Sequence, residues 1–115
     1  MEKTLTIDGK QVTFKSTGAL PLRYKSQFKT EFFSDVMSAL NVTELFNKPE
    51  LSIQDIQSID FEVFYQMLWT MAKTADKEIP DPMTWLDEFD EFPLMEIIPD
   101  VIDLLLSNLH STKKK

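Results

Sequence analysis

Residues 60–89 read DFEVFYQMLWTMAKTADKEIPDPMTWLDEF and carry more bulky apolar side chains than the faces of two short helices need. The bulky residues are Phe61, Phe64, Tyr65, Met67, Leu68, Trp69, Met71, Trp85, Leu86 and Phe89. Such an excess indicates either a surface that binds a partner or the middle of a small, tightly packed domain.

The run begins with a helix. Asp60 is a suitable N-cap, and Glu62 lies where the positive end of the helix dipole favours an acid. The spacing predicts a helix over about 60–75 with its inward face formed by Phe61, Phe64, Tyr65, Leu68 and Ala72. Trp69 and Met71 do not lie on that inward face.

Two further helices follow. Asp81-Pro82 gives a cap and a first-turn proline, which predicts a helix over about 82–90 with Trp85, Leu86 and Phe89 on one side. Apolar residues recur again to predict a helix over about 94–109. Pro99 either kinks that helix near Met95 or begins a new one.

The chain upstream begins with a strand pattern. Apolar side chains alternate with polar ones through 4–14 on both sides of Asp8-Gly9, which predicts a hairpin. Leu5, Ile7, Val12 and Phe14 should lie on one face. That face must rest on helices or on another strand, because an isolated hairpin is barely stable.

A long helix is predicted over about 21–40. Pro21 suits its first turn, and Tyr24, Phe28, Phe32 and Val36 follow at four-residue steps. Beyond it, Pro49 excludes a continuous helix, and a capping-box pattern at 52–55 predicts a short helical turn.

The predicted fold class is therefore α+β, mostly α, with an N-terminal β-hairpin followed by a bundle of about four to five helices. A chain of 115 residues fits one domain, here residues 1–110, and only two glycines argue against a barrel or sandwich. Residues 111–115 are expected to form a disordered basic tail.

Charge is divided along the chain, whose net charge is −7. Residues 1–29 carry six basic and two acidic side chains, whereas the remainder is acidic. The two parts could attract each other within one molecule or join copies head to tail into a homo-oligomer. A nucleic-acid partner is not expected, because the overall sign is wrong and no basic stripe is interleaved with aromatics.

No catalytic or cofactor chemistry is evident. His110 is the only histidine, cysteine is absent, and no phosphate-binding glycine loop or serine elbow is present. The acidic run at 87–91 lacks the glycine turn of a calcium loop. We expect no enzyme activity, metal or cofactor. Without a spanning apolar run or a signal-peptide core, we expect no membrane association and a cytoplasmic location.

Five segments, in this order, resemble the tail assembly chaperones of long-tailed phages and prophages of Gram-positive bacteria. They are residues 4–14, 18–28 (GALPLRYKSQF), 64–76 (FYQMLWTMAKTAD), 80–89 (PDPMTWLDEF) and 97–104 (IIPDVIDL). The resemblance implies a non-enzymatic factor in the host bacterial cytoplasm that binds the tape measure protein and helps to recruit tail tube subunits. It also implies absence from the mature virion.

A chaperone of a long helical protein needs an apolar surface, and six methionines would help such a surface adapt. The candidate partner-binding residues are Tyr65, Trp69, Met71 and Trp85, which are bulky and partly outside the simplest core stripes. The resemblance further suggests that Lys113-Lys114-Lys115 marks a ribosomal frameshift site. Otherwise the three lysines are a solvated end that complements the last helix dipole.

Two alternative functions remain open from the sequence. A structural phage tail component would use the hairpin to extend a sheet between neighbours. A small acidic inhibitor or interaction protein would spread its acids along one surface at phosphate-like spacing.

Overall fold

The computed structural model describes residues 1–40, 49–50, 52–57 and 60–107. A two-stranded antiparallel hairpin is followed by helices, which confirms the predicted fold class. The predictions for His110 and for the basic tail lie outside the described residues. In chain order the elements are β1 (Glu2–Ile7), β2 (Lys10–Lys15), α1 (Leu20–Phe28), α2 (Phe32–Leu40), α3 (Ile53–Gln57), α4 (Phe61–Ala75), α5 (Pro82–Leu86) and α6 (Leu94–Leu106).

The hairpin turns at Asp8-Gly9, as predicted. Both residues have positive φ, 53° and 76°, which is the geometry of a two-residue type I′ turn. The turn sets a register that pairs Leu5 with Val12, so that both side chains share one face. Val12 and its neighbours on that face are buried against the helices, mainly against α4.

Helix α4 is the central element of the fold. It packs against β2 on one side and against α1, α2, α5 and α6 on others. Because neighbours surround it, apolar side chains are needed around most of its circumference. Its buried residues are Phe64, Met67, Leu68, Trp69, Thr70, Met71 and Ala72.

The prediction of one helix over 21–40 is wrong, because the chain breaks between α1 and α2. Lys29 takes a left-handed conformation with φ 67°, and its N–H bonds to the carbonyl of Lys25. A strict four-residue spacing drifts by about 40° per step around a helix, so one straight helix would not keep all its aromatics on one face. The break lets the Phe32 ring pack edge-on against Tyr24, with centroids 5.4 Å apart.

The predicted caps are confirmed. The Asp60 side chain accepts from the Val63 N–H, and the Asp81 side chain accepts from the Thr84 N–H. At α3, Ser52 and Asp55 bond reciprocally through their side chains and backbone N–H groups, as a capping box requires.

Two helix boundaries differ from the predictions. Helix α5 ends at Leu86, so Phe89 lies in the following turn, because the chain there bends towards the hairpin tip. Helix α6 runs continuously through Pro99, so the alternative of a new helix starting at that proline is wrong. None of the helices in the described ranges has the length and apolar character needed to cross a membrane.

Two lysines of the basic N-terminal part contact the acidic part of the chain. Lys3 and Lys10 lie at opposite ends of the hairpin face that meets the helices. The Lys3 ammonium pairs with Asp103 at 3.3 Å, and the Lys10 ammonium donates to the Glu88 carbonyl. The Asp8 carboxylate accepts the Asp90 N–H at 2.9 Å, so the hairpin tip is held to the chain after α5.

Replacing Gly9 with alanine should destabilise the fold by about 1 kcal/mol, since an L side chain is strained at positive φ although nothing lies within 4 Å of the added methyl group. Gly18→Ala is the control, because that site is equally open and has no positive φ. Urea unfolding of both variants measures the loss in the free energy of unfolding. An equal loss in the two variants would contradict the assigned turn.

Lys29→Gly should raise the free energy of unfolding by about 0.5–1 kcal/mol, because glycine adopts the left-handed conformation without strain. Gln27→Gly, inside α1, should instead lower it by a similar amount. Urea midpoints of the two variants should therefore move in opposite directions. A destabilised Lys29→Gly protein would argue for an unbroken helix.

Candidate functional site

Three of the four candidate residues are buried, contrary to the expectation that they lie partly outside the core. The exposed fractions are 6% for Trp69, 0% for Met71 and 3% for Trp85. Only Tyr65 is half-buried. Partner contact by Tyr65 remains a prediction, whereas the other three contribute mainly to the core in this fold.

The burial of Trp69 follows from its two neighbours. Its ring packs edge-on against Phe28 of α1, with centroids 5.7 Å apart, and its indole N–H donates to the Pro80 carbonyl at 2.8 Å. The sequence periodicity of α4 predicts one inward-facing stripe. Periodicity alone does not show that α1 and the chain before α5 cover a second face of α4, the face that carries Trp69.

Trp85 belongs to an aromatic cluster between α4 and the chain after α5. Its ring lies 5.5 Å from both Phe89 and Phe92, and Phe92 lies 6.0 Å from Tyr65. Edge-on aromatic pairs of this kind add to the energy of apolar burial. The cluster therefore supports one side of the surface where Tyr65 emerges.

Tyr65 lines an apolar hollow, here called the α5 hollow. It has a volume of about 350 Å³ and lies between the end of α1, the first half of α4 and α5. Glu62 is the charged residue in its lining. The lining residues are Phe28, Glu62, Tyr65, Gln66, Pro82, Met83 and Leu86.

A second hollow, here called the α1 hollow, lies along α1 and the second half of α4. Its volume is about 370 Å³, and Trp69 forms part of its floor. Two cations, Arg23 and Lys73, line it. The remaining lining residues are Ala19, Leu22, Ser26, Gln27 and Thr70.

Exposed apolar side chains border both hollows. Leu22 is 75% exposed beside the α1 hollow, and Met83 is 71% exposed beside the α5 hollow. Neither residue was among the candidates predicted from the sequence. Their exposure could have been predicted, because each residue follows a first-turn proline and lies outside the apolar stripe of its helix.

A partly buried hydrogen-bond network underlies the α5 hollow. The Tyr24 hydroxyl donates to the Asp35 carboxylate at 2.6 Å and lies 2.9 Å from the side-chain oxygen of Gln66, a hollow-lining residue. Burial, followed by the neighbouring Asp35 carboxylate, raises the pKa of Tyr24 well above its ordinary value. The network joins α1, α2 and α4.

Within residues 1–40, 49–50, 52–57 and 60–107, no three His, Cys, Asp or Glu side chains are grouped to hold a metal ion. The hydrogen bonds that Thr84 donates lower the pKa of Asp81, which caps helix α5.

Tyr24→Phe should lower the free energy of unfolding by about 1–2 kcal/mol near neutral pH, because the Asp35 carboxylate loses the hydrogen bond that the Tyr24 hydroxyl donates. Since folding raises the pKa of Tyr24, the stabilisation is complete below the unfolded value of about 10 and declines as the pH rises towards the folded value. The stability difference between the two proteins should shrink above about pH 10. Urea unfolding across this range checks it, and a constant difference would contradict the network.

Comparisons with models of known protein families, with curated proteins and with solved structures found no match.

Proposed function

We propose that this protein is a non-enzymatic phage tail assembly chaperone that binds the tape measure protein. The observation that carries the proposal is the convergence of three segments of the sequence resemblance, 18–28, 64–76 and 80–89, around the two hollows. Segments far apart in the chain thus contribute to one apolar surface. A surface of this kind is what the resemblance requires.

The exposed side chains fit the proposal. A tape measure protein is expected to be a long, largely helical chain with apolar stripes that need shielding before assembly. Leu22 and Met83 would contact such a stripe, with Tyr65 between α4 and α5. Met83 would adapt to different helix faces, because methionine is unbranched and flexible.

The charge also fits. With a net charge of −7, the protein would keep an otherwise aggregation-prone complex soluble. A factor that covers the tape measure must leave when tube subunits take its place. The proposal therefore includes recruitment of the tail tube protein, action in the host bacterial cytoplasm and absence from the finished virion.

A structural tail component is the second candidate, and one observation favours it. Among the described residues the hairpin is a two-stranded sheet, so each strand has one outer edge that no described strand pairs with and that a neighbouring strand could join. Such a component would remain in purified particles in stoichiometric amount, whereas a chaperone would be absent from them.

Co-expression tests the proposal. The tape measure protein of the same phage should aggregate alone and stay soluble with this protein, whereas mature virions should lack it by quantitative mass spectrometry. The double variant Leu22→Asp/Met83→Asp should lose most of the solubilising effect, because it places charge at the exposed apolar rim.

The matched control is Ile53→Asp/Met37→Asp, since Ile53 and Met37 are also exposed, at 75% and 57%, and line neither hollow. It should act like the native protein. A native protein that leaves the tape measure insoluble, or that is found stoichiometrically in virions, would refute the chaperone function.

A further inference from the structure

The two hollows share one floor. Glu62, Tyr65 and Gln66 of α4 line the α5 hollow, and Trp69, Thr70 and Lys73 of the same helix line the α1 hollow. These positions recur at three- and four-residue spacing and so lie on one face of α4. The hollows are therefore arranged end to end along that face, separated by the ring contact of Phe28 with Trp69.

The hollows are displaced by two helical turns. Trp69 lies seven residues after Glu62, and Lys73 lies seven residues after Gln66, which corresponds to about 10 Å along the α4 axis. Any helix lying alongside α4 has the same rise per residue. Two of its side chains seven residues apart would therefore reach the two hollows together.

The two ends of this floor carry opposite charges. Glu62 is exposed in the α5 hollow, and the acids Asp81 and Asp87 flank α5 in the chain. Arg23 is exposed in the α1 hollow. Beside it the Lys73 ammonium donates to the Ile79 carbonyl, a contact that leaves its positive charge in place.

One further cation, Lys29, follows Phe28 in the chain. Its ammonium donates to the carbonyl of Ser26, a residue that lines the α1 hollow, so its positive charge is held beside the basic end of the floor. The polarity along the floor is thus set by Glu62 at one end and by Arg23 with Lys73 at the other. A helix dipole lying over it is favoured with its N-terminal end at Glu62.

We propose that the two hollows form one docking groove for an amphipathic partner helix that lies parallel to α4. The helix places apolar side chains seven residues apart in the two hollows, with basic residues at its N-terminal end and acidic residues at its C-terminal end. This inference rests on the proposed function, in which the partner is a long helical protein. It adds the orientation, the anchor spacing and the charge order of the bound segment.

A pair of synthetic peptides of about 18 residues tests the groove. Both carry leucines spaced to form one stripe, and both are held helical by the same side-chain crosslink on the outward face. The forward peptide has lysines in its first turns and glutamates in its last, and the reversed peptide exchanges them. The full-length protein should bind the forward peptide roughly tenfold more tightly, since two exposed ion pairs change from repulsion to attraction.

The double variant Glu62→Lys/Arg23→Glu keeps the net charge and alters exposed residues. It should reduce the preference to about twofold or invert it, since part of the charge order along the floor is exchanged. Glu96→Lys/Lys15→Glu, which changes charges outside both hollows, should leave the preference unchanged. A native preference below twofold, no binding of either peptide, or an unchanged preference in the first variant would overturn the groove.

The two tryptophans supply an internal control for the binding site. Trp69 lines the α1 hollow, whereas Trp85 lines neither hollow and packs in the aromatic cluster. The forward peptide should shift the Trp69 indole N–H signal in a nitrogen–proton NMR spectrum more than that of Trp85. A shift of Trp85 alone would place the peptide elsewhere and overturn the proposal.

Co-expression separates this inference from the function on which it rests. If the native protein and Glu62→Lys/Arg23→Glu both keep the tape measure protein soluble and the peptides show no preference, the chaperone function stands and the groove fails. If the native protein does not keep it soluble, the function fails. If Glu62→Lys/Arg23→Glu alone fails to keep the tape measure protein soluble, and its helical circular dichroism is unchanged, the result supports both the chaperone function and the docking groove.

Discussion

The structure depends on the burial of α4 on nearly all sides. A helix with Phe64, Met67, Leu68, Trp69 and Met71 carries apolar side chains around most of its circumference, so those sides must be covered by other elements. The hairpin, α1 and α6 each supply one apolar face and would be marginal alone. Packing around a common helix stabilises all of them together.

This arrangement also determines what stays open. Where α1 and α5 do not quite meet over α4, the two hollows remain, and their rims carry Leu22 and Met83. Two of the α4 side chains that line the hollows, Trp69 and Thr70, are buried and are thus held by the same packing that forms the core. Side chains that are already ordered lose little conformational entropy when a partner docks.

The parts of the fold that local chemistry determines could be predicted from the sequence. The turn at Asp8-Gly9 and the caps Asp60 and Asp81 each depend on residues within a few positions, and all three are confirmed. The break at Lys29 could not be predicted, because a four-residue apolar spacing looks continuous until its drift around the helix is weighed against packing on Tyr24.

The candidate site was harder to predict for a related reason. Whether Trp69 and Trp85 are surface or core depends on which elements cover α4, and those contacts join residues far apart in the chain. The hollows likewise exist only after Phe28 and Leu86 are brought to the same helix. Tyr65, the one candidate that remains partly exposed, lies where the apolar excess of 60–89 reaches the surface.

The chain lacks cysteine, so a single introduced cysteine can carry a photoreactive group at a chosen position. Leu22→Cys, Met83→Cys and Ile53→Cys, each labelled and bound to the tape measure protein, give the most direct measurement of where the partner lies. If the docking groove binds the tape measure protein, positions 22 and 83 should crosslink to points about seven residues apart on one of its helices, and position 53 should form no crosslink. Crosslinks from position 53, with none from 22 or 83, would contradict it.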